Sequence, residues 1–151
     1  MPAGRHTILL EGRQFVSGAR RVTHEDFLRF AQVSGDRHPM HVDPAYAAQT
    51  AMGRIIAHGP FGIALSMGLY NTIEEMTDLA VAMLDIREWK FLLPIFVGDE
   101  LRLRLTIGTI RETRSGKLVV DRMFEVVRDG NEVVQSGWSA MLVNPPPADG
   151  G

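Results

Sequence analysis

A chain of 151 residues has room for one domain with a core large enough to fold without disulfide or metal staples. Its net charge of −2, with both signs interspersed, leaves no basic field to hold nucleic acid phosphates. There is no cysteine, which excludes disulfides, thiolate metal sites and a cysteine nucleophile. The N-terminal MPAGRHTILL lacks a long apolar segment and a small-residue cleavage site. The longest apolar run, Pro60 to Tyr70, is too short to cross a bilayer. These features predict a cytoplasmic protein with no membrane partner.

The first strand is expected over His6–Gln14, with Gly18 breaking the chain after it. Thr23 then starts a helix: its hydroxyl suits an N-cap, and Glu25 and Asp26 complement the dipole in the first turn. Phe27, Leu28, Phe30, Ala31 and Val33 form an apolar stripe at helical spacing, and Gly35 stops the helix. Regular helix is not expected from Asp36 to Asp43, because Pro39 pushes His38 out of the α region and removes a backbone donor. Asp43 and Pro44 open a short helix that Gly53 ends.

His58-Gly59-Pro60 leads into a helix expected over Pro60–Glu75, apolar nearly all round and so buried on most sides. Gly62 and Gly68 each cost about 0.5–1 kcal/mol in helix propensity, which makes sense where other backbone approaches closely. From Leu79 the period changes to two. Leu79–Leu93 reads as one long or bent strand with Trp89, Phe91 and Leu93 on one face. A strand from Leu101 follows the Val97-Gly98-Asp99 turn, with Leu101, Leu103, Leu105 and Ile107 inward. Leu118–Arg128 and Val133–Val143 complete the sheet around an Asp129-Gly130-Asn131 hairpin turn. The expected organisation is one α+β domain over residues 1–144 and a flexible tail over 145–151.

The chemistry concentrates between Ser34 and Gly59. Asp36 and His41, converging from one loop, could hold a water and move a proton between it and carbon. Imidazole titrates near neutral pH and works in either direction. The bland alternative is a Gly-Asp turn followed by a half-exposed histidine. His38, His41, Asp36 and Asp43 lie within eight residues, but H-x-x-H here lacks the helical context of zinc motifs, so no metal and no cofactor is expected. The Gly59 N–H, at a helix start, suits a developing oxyanion, or the glycine merely makes the bend into the helix. His58 reads as a hydrogen-bonded structural histidine. Ser34 and Ser66 lack a G-x-S-x-G context, which disfavours a serine nucleophile.

FAQVSGDRHPMHVDPAYA, followed by IIAHGPFG and then REWKFLLPIFVGDELRL, resembles the MaoC-like (R)-specific enoyl-CoA hydratase family. Its pattern is close to S-G-D-x-N-P-x-H-x-D, then A-H-G, then W-x-F-x-x-P-x-x-x-G-D. The resemblance implies a hot dog fold, a long central helix wrapped by a curved antiparallel sheet of about five strands. It also implies a homodimer or dimer-based oligomer acting on an acyl-CoA thioester in fatty acid metabolism. Carried over by position, Asp36 and His41 are the hydratase dyad and the Gly59 N–H is the thioester oxyanion donor. Ser34, His38 and Ser66 are the further substrate-binding candidates. His38 stands where the family has Asn, and Met67 where members often place a serine, with Ser66 one residue earlier. Three functions compete. The first is reversible hydration of a 2-enoyl-CoA to an (R)-3-hydroxyacyl-CoA, and the second is thioester hydrolysis. The third is non-catalytic binding of acyl thioesters.

Overall fold

The structure is a computed structural model and describes residues 8–147. Among the described residues seven strands form one antiparallel sheet, and the three longest are β5 (Glu100–Glu112), β6 (Leu118–Arg128) and β7 (Glu132–Val143). Short strands flank them in pairs. β1 (Gln14–Val16) and β2 (Arg20–Arg21) both lie on β5, while β3 (Ala80–Met83) and β4 (Arg87–Phe91) both lie on β7. The strand count therefore exceeds the five expected. Each flanking segment splits in two where the chain kinks, at Gly18 on one side and around Asp85 on the other.

The alternation read along β5 is observed: Leu101, Leu103, Leu105 and Ile107 are buried. Val120, Phe124 and Val126 of β6 and Val134 and Met141 of β7 continue the same core layer. Against this layer lies α4 (Gly59–Tyr70), which contributes Phe61, Leu65, Leu69 and Tyr70, with the Tyr70 and Phe124 rings 6.2 Å apart. Each fully buried side chain of this size stabilises by about 1.5–3 kcal/mol. α1 (His24–Ser34) closes the core by packing Phe27 edge-on against Phe61 at 5.3 Å. Thr23 and Asp26 form a reciprocal capping box, and Gly35 ends the helix in the left-handed region with φ 79°.

Four expectations on element boundaries are corrected. The first strand does not run over His6–Gln14. His6 and Thr7 lie outside the described residues, and Gly12 adopts φ 83° in a turn, so pairing begins at Gln14. The segment Asp36–Asp43 contains one helical turn, α2 (Pro39–Val42), because Pro39 takes the first position, where its missing N–H has no intrahelical role. A second single turn, α3 (Pro44–Ala47), follows with Asp43 as its cap. The central helix stops at Tyr70 rather than Glu75. Ile73 is extended, and the Thr72 hydroxyl accepts from the Gly18 N–H at 3.0 Å, drawing the chain toward the first sheet edge. Glu74 and Glu75 belong to a separate turn, α5 (Glu74–Thr77).

Leu79–Leu93 is likewise two strands. The Asp85 carboxylate accepts the Ala140 N–H at 2.8 Å, taking a ladder position that a backbone carbonyl would fill. The two-sided expectation for the helix glycines is half corrected. A Cβ on Gly62 would come within 2.4 Å of the Gln135 side chain, so the close approach is real but made by a side-chain amide. Gly68 faces open space. The expected tail falls partly outside the described residues, at 148–151.

Candidate active site

The site begins where α1 ends. The Ser34 hydroxyl donates to the Phe30 carbonyl at 2.7 Å and accepts the Asp36 N–H at 3.2 Å, so the serine shapes the exit from the helix. The exposed Asp36 carboxylate accepts the His38 N–H at 3.2 Å. His38 caps α2, its Nδ1 accepting the Met40 N–H at 3.2 Å, and its ring lies 6.2 Å from that of His41. Pro39 and this cap set the single turn that carries His41 inward.

His41 is buried, and its Nδ1 lies 2.8 Å from the Ile56 carbonyl. A carbonyl can only accept, so Nδ1 carries the proton and the lone pair of the neutral ring is on Nε2. Burial is the main influence on this imidazole and lowers its pKa from 6.5. The bond to Ile56 opposes that shift, the neighbouring His58 adds to it, and Asp36 works against it.

His58 joins these two residues. Its Nε2 donates to the backbone carbonyl of Asp36 at 2.8 Å, and its ring stacks on His41 with centroids 3.9 Å apart and planes at 25°. Phe30 covers it at 5.0 Å. The segment bearing His58 is itself anchored to the connection between β4 and β5, because the Ala57 N–H donates to the Ile95 carbonyl and Ile56 bridges Phe96. The sequence reading of His58 as a hydrogen-bonded residue matches this arrangement, but its stack on His41 was not foreseen.

Asp36, His41 and His58 each place a potential ligand atom within 4.8 Å of the others. Ring nitrogens bind metal along lone pairs in the ring plane, and near-parallel stacked rings send those lone pairs side by side. Two of the four nitrogens already face carbonyls. The geometry fits a proton-handling pair braced by a third residue better than a metal centre.

Gly59 is the first residue of α4, so no preceding turn accepts its N–H, and Pro60 beside it has none. It follows directly on His58, which holds both Asp36 and His41. Ser66 is fully buried and its hydroxyl donates to the Ile63 carbonyl at 2.7 Å, so the structure does not bring it to hydrogen-bond either residue. Met67 packs partly buried against the core. A groove of about 380 Å³ runs between α1 and α4, lined by Phe30, Val33, Phe61, Ala64 and Leu65 and by the charged Arg20, Asp26 and Arg29. Phe30 both lines it and packs on the His58 ring at 5.0 Å.

The sequence reading missed Gln135. It is 3% exposed in β7, accepts from Trp89 Nε1 at 3.0 Å and donates to the Gly59 carbonyl at 3.2 Å. Nothing local marks it, since its partners stand 46 and 76 residues away.

Residues 10–128 match the MaoC like domain. The chain is 32% identical over 115 residues to the (R)-specific enoyl-CoA hydratase of Aeromonas caviae, covering 76% of this chain and 84% of that protein. It is 29% identical over 106 residues to Protein MaoC of Klebsiella aerogenes, covering 69% of this chain but only 31% of that protein. The solved (R)-hydratase from A. caviae involved in PHA biosynthesis superposes with a TM-score of 0.75 at 28% identity, over 93% of this chain and 99% of that one. With a central helix laid on an antiparallel sheet and a match over most of its length, the chain belongs to the MaoC-like dehydratase family of hot dog proteins.

Proposed function

We propose that this protein is a hydratase/dehydratase that adds water reversibly to a 2-enoyl-CoA thioester, giving an (R)-3-hydroxyacyl-CoA. The observation that carries the reading is the His58 brace, which joins the Asp36 backbone to the His41 ring, while the Ile56 carbonyl on His41 Nδ1 leaves the Nε2 lone pair free. A carboxylate and an unprotonated imidazole nitrogen are both acceptors. One water can donate a hydrogen bond to each, which fixes its oxygen for attack.

In the forward direction the water oxygen bonds to C3 as the C2–C3 π bond opens, and the electron pair moves onto the thioester oxygen. The dyad accepts one proton of the water, with Asp36 as the principal base and His41 as its partner. That proton is then delivered to C2 as the thioester carbonyl re-forms, so the second hydrogen of the water stays on the new hydroxyl. Delivery from one side gives syn addition. The Gly59 N–H, at the positive end of α4, stabilises the enolate oxygen, and removing such a donor costs roughly 2.7–4 kcal/mol in other enzymes. Ser34 and His38 contribute by fixing the Asp36 loop.

Thioester hydrolysis by the central helix needs a carboxylate on it. α4 carries none, and Glu74 and Glu75 lie on the separate turn α5. Asp36→Asn and His41→Ala are each expected to lose about 10²–10⁴-fold in kcat while folding normally. The measurement is a panel of short, branched and long enoyl thioesters with hydration and thioester cleavage followed together. Near-normal hydration by either variant would remove the dyad from the mechanism and favour a binding module. Cleavage without hydration would replace the reaction.

A further inference from the structure

Gly59 is the residue of the site with the least to hold it. It has no side chain, it begins a helix whose cap, His58, makes no side-chain capping bond, and glycine backbone is otherwise free to rotate. Yet an oxyanion donor works only where its N–H is fixed in advance. Two side chains from the sheet meet at this glycine, and a third braces one of them. Gln135 donates to its carbonyl at 3.2 Å. Phe91, paired with Gln135 across the β4–β7 ladder, lays its ring where a Gly59 Cβ would stand, 3.0 Å from that point. Trp89, two residues along the same strand, donates to the far oxygen of the Gln135 amide at 3.0 Å.

Burying a side-chain amide costs free energy unless both of its ends are paired. Both ends of Gln135 are paired, and the lack of a side chain at Gly62 makes the space, since a Cβ there would lie 2.4 Å from the amide. An apolar side chain would fill this core position without that requirement. The polar choice has one evident consequence: a hydrogen bond on the carbonyl of the glycine that opens the central helix. On the other side of the same residue, His58 is held by the Asp36 carbonyl and by its stack on His41. Gly59 is thus pinned between the dyad and the sheet.

We propose that Gln135, braced by Trp89, is a positioning residue: it holds the Gly59–Pro60 peptide by its carbonyl while His58 is held on the other side, and together these fix the φ and ψ of Gly59 so that its N–H faces the developing thioester oxyanion. This rests on the hydratase reading above. Gln135→Met keeps the volume and removes both bonds. Gln135→Glu keeps the acceptor for Trp89 but has no donor for Gly59. Trp89→Phe removes the brace and some packing against Gly137 and Phe124, and leaves the donor for Gly59 in place.

Enoyl thioester hydration should show kcat falling by about 10–100-fold in both Gln135 variants with KM within about twofold. This is the pattern of an interaction that matters in the transition state, and removing an oxyanion donor outright costs about 10²–10³-fold. Trp89→Phe should show the same split at smaller amplitude, and it carries the test if Gln135→Met does not fold. The second readout needs no substrate. Gly59 amide and carbonyl resonances should shift in each Gln135 variant while those of α1 stay in place. Unchanged Gly59 resonances, or a loss confined to KM, would overturn the proposal. A wild-type protein that hydrates no thioester would instead sink the hydratase reading, and the Gly59 resonances would still decide whether Gln135 sets that peptide.

Discussion

His41 shows how a single side chain acquires its chemistry from its surroundings. Its ring is buried, and the Ile56 carbonyl fixes the tautomer that leaves the lone pair on Nε2. Burial holds the imidazole below its ordinary 6.5. Two consequences follow, with one sign. Protonating Nε2 removes an acceptor for the water, so the acid limb of kcat/KM should break below 6.5 rather than at or above it. Between the ordinary value and the lowered one, the unfolded chain binds a proton that the folded chain resists. Stability from this group is therefore complete above pH 6.5 and lost as pH falls toward the lowered value. A pH series of urea unfolding and of kcat/KM checks both, and His41→Ala should flatten the stability contribution. A break above 6.5 would contradict the buried neutral ring.

The glycines of α4 separate packing from propensity on one element. Gly62 stands where a Cβ would strike the Gln135 amide, whereas Gly68 has nothing within 4 Å and ordinary helical backbone. Gly62→Ala should destabilise by roughly 1–3 kcal/mol through overpacking. Gly68→Ala should stabilise by roughly 0.5–1 kcal/mol, because alanine loses less backbone freedom on entering a helix. Denaturant midpoints at constant m-value distinguish the two. Equal losses at both sites would mean that Gly68 too is pressed by a neighbour. The early end of α4 has a similar local origin, the extended Ile73 and the Thr72 contact to Gly18, which hydrophobic periodicity alone does not register.

Over the whole molecule, the second sheet edge is the exposed apolar part. Val81, Met83 and Leu84 at β3 and Phe91, Leu92 and Leu93 at the end of β4 are all more than a third exposed. β3 also ends the sheet, and an uncovered edge strand with apolar side chains invites pairing. We propose that a second copy covers it, giving a homodimer. Sedimentation equilibrium should report a dimer, with Met83→Lys and Leu84→Glu together shifting it to monomer. A monomeric wild type at micromolar concentration would contradict this. Because β4 also carries Trp89 and Phe91, loss of the dimer should lower hydration as well.

The capping of α1, the alternation along β5 and the hairpin at Asp129–Asn131 were legible in the chain, because each depends on residues close in sequence, whereas Asp36, His41 and Gly59 became candidates through the family resemblance rather than through their spacing. A helix cap, a two-residue period and a turn are local events whose signals lie within a few positions. The break of the long strand at Asp85 was not legible, since it depends on the Ala140 N–H in a strand 55 residues away. The stack of His58 on His41 depends on the extended segment at Ile56 docking against Phe96. The support of Gly59 by Gln135 depends on β7 lying under the start of α4. Local order follows from backbone sterics and capping; the partners of a buried polar group follow from which distant segments the core brings together, and only tertiary structure decides that.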